Sequence, residues 1–157
     1  MRPSAISRPT GDRGFTIVEL VFVLVIAGIL AALAAPSFSQ FIDAQRAKNA
    51  ATDIYVALTR ARSEALRLNQ NVTLAPVSGN WASGWQITDS AANVLDAHPA
   101  LRNLTVTGPT NVVYRSSGRL TSGADALFTI TGSFASSTQY LCLDLSGRPS
   151  ITTSSSC

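Results

Sequence analysis

Histidine and cysteine are almost missing from this sequence: one histidine, His98, and two cysteines, Cys142 and Cys157, occur in 157 residues. Zinc sites are built largely from such ligands, and there is no C-x2-C pair, so no metal site is expected. The same scarcity argues against catalysis. Nucleophilic or acid–base chemistry needs a nucleophile beside a base, or a metal, whereas His98 stands beside Pro99 in an expected loop with only Asp96 as a nearby carboxylate. No catalytic residue and no cofactor is assigned, and the chain is read as a non-enzyme. Charge is sparse too, at 13% of residues with a net +3. Arg2, Arg8 and Arg13 against Asp12 put +2 of that in the first 14 residues. The nearly neutral remainder lacks the summed positive field of a nucleic-acid-binding domain, so any such binding must be local. The length suits one core plus an anchor.

What the sequence does have is a long apolar run. From Phe15 to Ala35 only Thr16 and Glu19 are polar, and the run is long enough to cross a bilayer as a helix. Arginines precede it and the next ionisable residue after Glu19 is Asp43, so the basic flank is expected in the cytoplasm and the bulk of the chain outside. In an oxidising compartment Cys142 and Cys157 would close a short C-terminal loop as a disulfide; two free thiols are the other reading.

Two export routes fit this run. Ala32-Leu33-Ala34 would serve as the small-x-small site of an ordinary secretory signal. Glu19 speaks against it: a carboxylate costs roughly 2.5 to 3.5 kcal/mol at the membrane centre, less near the edge, and a disposable signal has no use for it.

Arg13-Gly14-Phe15-Thr16-Ile17-Val18-Glu19-Leu20 closely resembles the type III signal of type IV pilins and type II secretion pseudopilins. The resemblance implies cleavage by prepilin peptidase between Gly14 and Phe15, N-methylation of Phe15, and a role for Glu19 in neutralising the N-terminal amine of a neighbouring subunit during assembly. Electrostatics agrees, because opposite charges in a low-dielectric fibre core attract far more strongly than in water and an unpaired one is costly.

Pro36 is expected to kink or locally unwind the helix. Beyond it Ile54, Leu58, Ala61, Ala65 and Leu68 recur at helical spacing. The other face holds Arg46, Lys48, Asp53, Arg60, Arg62, Glu64 and Arg67 and reads as solvated, with Glu64 spaced to pair with Arg60 or Arg67. From Asn69 onward short alternating runs separated by Gly, Ser and Pro predict strands at 72–75, 84–88, 104–107, 112–114, 126–131, 140–145 and 150–152. The Ser122-Gly123 pair is read as one of the turns between them.

Trp81-Ala82-Ser83-Gly84-Trp85 and Ala61-Arg62-Ser63-Glu64-Ala65 resemble segments of the GspH/FimT family of minor pilins and pseudopilins. The expected fold is therefore α+β and pilin-like, a long N-terminal helix packed against a small antiparallel β-sheet head. Its expected parts are a leader at 1–14, a transmembrane and assembly helix at 15–35, an amphipathic continuation at 36–68 and a β-rich head at 69–157. Some family members bind DNA through a Gly-Arg-x-Arg element; here Gly147 and Arg148 are present but Ser150 takes the second arginine's place. Gly118-Arg119, with Arg115 nearby, would add charge if the two loops converged.

The resemblance implies a minor type IV pilin that primes or supports fibre assembly. A type II secretion pseudopilin and a pilus-tip DNA-binding subunit are the alternatives. Implied partners are other pilin or pseudopilin subunits, prepilin peptidase, the inner-membrane assembly platform and, before assembly, membrane lipid. The implied location is the bacterial inner membrane, single-pass with the head in the periplasm, then the fibre.

Overall fold

The computed structural model describes residues 14–121, 126–152 and 154–157. The expected leader before Gly14 and the Ser122-Gly123 turn lie outside these residues. Two compact units result, one ending at Ser37 and one running from Phe38 to Cys157.

A single helix, α1, is assigned from Ile17 to Leu68. The local unwinding expected at Pro36 is not seen, since helical assignment continues through that position. The helix stops at Asn69, which takes a left-handed φ of 52°. Asparagine tolerates that conformation, and the Gln70 amide turns back onto the Ala65 carbonyl at 3.3 Å, closing the last turn.

In the first unit the described side chains of α1 are exposed throughout, and its most apolar 18 residues have a mean hydropathy of 2.9. In the second unit, α1 buries Ala47, Ala50, Ala51, Ile54, Leu58, Ala61 and Ala65. This stripe is wider and richer in alanine than the expected face. Small side chains let strands approach the helix backbone closely.

The described strands are β1 (Val72–Pro76), β2 (Trp85–Thr88), β3 (Val94–His98), β4 (Thr105–Thr107), β5 (Val112–Tyr114), β6 (Ala126–Thr131), β7 (Gln139–Leu143) and β8 (Pro149–Thr152). They make two four-stranded sheets, ordered β3-β2-β1-β5 and β4-β6-β7-β8, with every pairing antiparallel. Period-two burial sends Val72 and Leu74 of β1, Phe128 and Ile130 of β6, and Leu141 and Leu143 of β7 inward. One hydrophobic cluster joins these residues to the α1 stripe.

β3 departs from expectation, and His98 ends a strand where a loop was expected. Val94-Leu95-Asp96-Ala97-His98 carries two polar residues and runs into Pro99, so it reads locally as loop. Pairing with β2, Trp85 opposite His98 and Ile87 opposite Asp96, overrides that local preference. β7 ends at Leu143, short of the expected Leu145, because Asp144 begins a turn in which the Gly147 amide bonds the Asp144 carbonyl at 2.9 Å.

Candidate functional site

Gly14 and Phe15 precede α1 in open, exposed backbone, with Phe15 82% exposed. Thr16 caps the helix: its Oγ1 accepts the Glu19 amide at 3.2 Å, and its carbonyl accepts the Leu20 amide at 3.1 Å. Glu19 occupies the first turn, where a carboxylate interacts favourably with the positive end of the helix dipole. Sequence reasoning singled out Glu19 but passed over Thr16. The signal was present, since Thr-x-x-Glu before an apolar run is a helix-start pattern.

The Trp-x-x-Gly-Trp segment forms a structural knot. Trp81 is 3% exposed, donates its indole N–H to the Pro109 carbonyl at 2.8 Å, and meets Phe128 of the second sheet edge-on at 4.9 Å. Trp85 lies in β2 of the first sheet, so the pair bridges both sheets. Gly84 between them holds φ at 95°, and a Cβ there would run into the His98 carbonyl. The spacing is thus explained by packing alone.

The two Gly-Arg turns converge. Gly118 and Gly147 are buried and so close that a Cβ on Gly147 would stand 2.6 Å from the Gly118 carbonyl oxygen. Tyr114 lies beneath, fully buried, donating its hydroxyl to the Gly147 carbonyl at 3.2 Å, and burial pushes its phenol up. Arg62 of α1, expected on a solvated face, donates Nε–H to the Gly118 carbonyl at 3.0 Å. Arg115, Arg119 and Arg148 are exposed around these turns. Asp144 stands among them. Its carboxyl is held below the usual range by the Ser146 hydroxyl at 2.6 Å and the Arg148 amide at 3.0 Å.

His98 stacks on Trp85, ring centroids 4.1 Å apart, with Nε2 3.7 Å from Asp53 and Nδ1 2.8 Å from the Pro99 carbonyl. Arg60 pairs with Asp96 at 2.8 Å, while Glu64 is paired with Arg67. His98, Trp85, Asp53, Arg60 and Asp96 border a cavity of about 150 Å³ whose lining holds no serine, threonine, cysteine or lysine. The Arg60–Asp96 pair is exposed and contributes about 0 to 1 kcal/mol; the cluster fastens the end of β3 to α1. Among the described residues no three His, Cys, Asp or Glu side chains gather as metal ligands. Cys142 and Cys157 are joined as a disulfide that ties β7 to the C-terminal segment.

Residues 50–149 match the family model described as type II transport protein GspH, and residues 10–35 match the prokaryotic N-terminal methylation motif. No curated protein matches the chain. Among solved structures, the type IV minor pilin FimU of Pseudomonas aeruginosa is similar in fold in two crystal forms. In space group P21 it is 23% identical with a TM-score of 0.63, covering 74% of this chain and 95% of that one. In P65 it is 23% identical with a TM-score of 0.59, covering 69% and 94%.

Proposed function

Because the chain belongs to the GspH family of type II transport proteins, we propose that it is a minor type IV pilin, built into a pilus-type fibre to prime or support assembly. The observation that carries this reading is the order Gly14-Phe15-Thr16 then Glu19 at the head of an apolar helix, within the matched methylation motif. Prepilin peptidase cuts between Gly14 and Phe15 and the new amine of Phe15 is methylated. The apolar part of α1 holds the subunit in the bacterial inner membrane, its basic flank in the cytoplasm and its head in the periplasm. The assembly platform then moves it into the fibre.

Glu19 supplies the register. In the fibre core its carboxylate faces the ammonium of a neighbouring Phe15, a pairing that is strong because water is excluded. A subunit out of step leaves both charges unpaired, which is far more costly than losing a surface pair. The same start serves a type II secretion pseudopilus, which remains the alternative. The likeness in fold to FimU, a type IV minor pilin, supports the choice of pilus.

Mass spectrometry of the mature protein tests the processing. The expected N-terminal peptide starts at a methylated Phe15. A mature chain starting at Ala35 instead would mean ordinary secretory cleavage and overturn the reading.

A further inference from the structure

Within the unit from Phe38 to Cys157 a cleft of about 220 Å³ opens between α1 and the connection from β3 to β4. Arg46, Asn49 and Ala50 line it from α1, and Leu101, Arg102 and Leu104 from the connection. The Leu101 amide bonds the Ala82 carbonyl at 2.8 Å, and Leu101 and Leu104 pack against the core, so this wall is fixed. The arginines at the cleft differ from the rest of those on α1. Arg60 is paired with Asp96, Arg62 with the Gly118 carbonyl and Arg67 with Glu64. Arg46 and Arg102 are exposed, and among the described residues neither has an ion pair or a side-chain hydrogen bond. Asp53 also lines the cleft, with His98 Nε2 at 3.7 Å. Two guanidinium groups thus stand against one carboxylate above an apolar floor.

We propose that this cleft docks an acidic segment of a different fibre subunit, its carboxylate held by Arg46 and Arg102 and an adjoining apolar side chain resting on Ala50, Leu101 and Leu104. The inference rests on the reading of the chain as a fibre subunit. The guanidinium fork matches a carboxylate in shape and is weakly hydrated, which suits arginine to interface ion pairs. Asn49 adds to the donors: its Oδ1 already accepts from Gln45 Nε2 at 2.8 Å, which leaves its N–H groups for the incoming oxygens. Asp53 repels a doubly charged anion more than a single carboxylate, so an acidic side chain fits better than a phosphate. A second copy of this chain offers no such segment among its described residues beyond α1's start. Asp43 is 4% exposed, Asp96 and Glu64 are paired, and Asp53 belongs to the cleft itself. Both oxygens of Asp89 accept donors from its own turn, at Ala91 and Asn93. Asp144 stands among Arg115, Arg119 and Arg148, which the cleft would repel. Charge complementarity therefore selects a different chain.

The test titrates the full chain, in micelles of a non-ionic detergent, with two capped tripeptides, acetyl-Leu-Asp-Leu-amide and its uncharged Asn counterpart. Nuclear magnetic resonance follows the arginine Nε–H groups and the leucine methyls. The Asp peptide should saturate shifts at Arg46, Arg102, Leu101 and Leu104, and the Asn peptide should bind on the order of tenfold more weakly, as should the Asp peptide to Arg46→Gln with Arg102→Gln. Both arginines are exposed, so the double variant keeps its fold, which its unchanged spectrum elsewhere verifies. Equal binding of the two peptides, or shifts confined to Arg115, Arg119 and Arg148, would overturn the site. Photoreactive benzoylphenylalanine at Leu104 in cells, with the adduct sequenced, then tests the partner. An acidic segment of another subunit is expected, and the adduct should be lost in the double variant; an adduct with a second copy of this chain would overturn the choice of partner. Failure of the fibre reading shows separately, as a mature chain that does not start at Phe15. Peptide binding in such a chain would keep the carboxylate site and remove the fibre subunit as its occupant.

Discussion

Asp43 and Ser137, separated by 94 positions in the chain, are joined by a 2.8 Å hydrogen bond that brings the segment between β6 and β7 onto α1. The Asp43 carboxyl is held below its usual range, chiefly by the Phe134 amide, against an opposing effect of burial, with the Ser137 hydroxyl adding to the lowering. A carboxyl depressed in the folded state contributes stability that is present above its unfolded value, about 3.9, and is lost as pH falls through the lower folded value. Thermal melts between neutral and strongly acid pH should therefore show Asp43→Asn below wild type at pH 7, the gap narrowing below about pH 4. Asp89 and Asp144 are also depressed, so the wild-type acid limb is shared. A pH-independent gap would mean that the Asp43 charge has no part in the contact.

Gly84 is irreplaceable for a reason visible only in three dimensions. Its φ of 95° and the His98 carbonyl over its α-carbon leave no room for a methyl group. Gly84→Ala should cost more than about 1 kcal/mol, the usual gain from such a change being reversed where the backbone is incompatible. Chemical denaturation followed by the fluorescence of Trp81 and Trp85, which flank it, reads this out. An unchanged midpoint would refute the packing argument.

The disulfide closes a loop spanning 15 positions, for which chain entropy suggests a stabilisation of about 3 kcal/mol. Denaturation of oxidised and reduced protein, with Cys142→Ser as the reduced mimic, should differ by that order. Coincident curves would show that the C-terminal tie does not stabilise the head.

Convergence of Gly118 and Gly147 places Arg119 and Arg148 on adjoining turns, while Asp144 and Ser150 dilute the charge. DNA retention in a gel shift at low salt should accordingly be weak, and should fall in Arg119→Ala with Arg148→Ala, because each lost phosphate contact reduces affinity and its salt dependence. Retention unaffected by both changes would locate any nucleic-acid contact elsewhere.

Much of this molecule was legible from residue order. The apolar run, the alternation at Val72 and Leu74 or Phe128 and Ile130, and the helical spacing of Ile54, Leu58 and Ala61 are local patterns, and local patterns survive folding. β3 was not legible, because Asp96 and His98 are polar in sequence and acquire their partners, Arg60, Asp53 and the Trp85 ring, only when α1 and β2 are in place. Asp43 was likewise silent: its donors lie more than 90 positions away. Thr16 differs from both, since its capping pattern could be read but was eclipsed by the charge of Glu19. The meeting of the two Gly-Arg turns depended on β5 and β8 belonging to different sheets, which no spacing announces.

Incorporation into a fibre is tested most directly by immunoblotting sheared surface pilin from a strain lacking this chain, complemented with wild type or with Glu19→Ala. Surface pilin should be lost on deletion and restored by wild type. Glu19→Ala should be cut after Gly14 as usual yet fail to restore it. Normal surface pilin in the deletion strain would show that the chain is not needed for pilus assembly, and full restoration by Glu19→Ala would remove the charge pairing on which the assembly register depends.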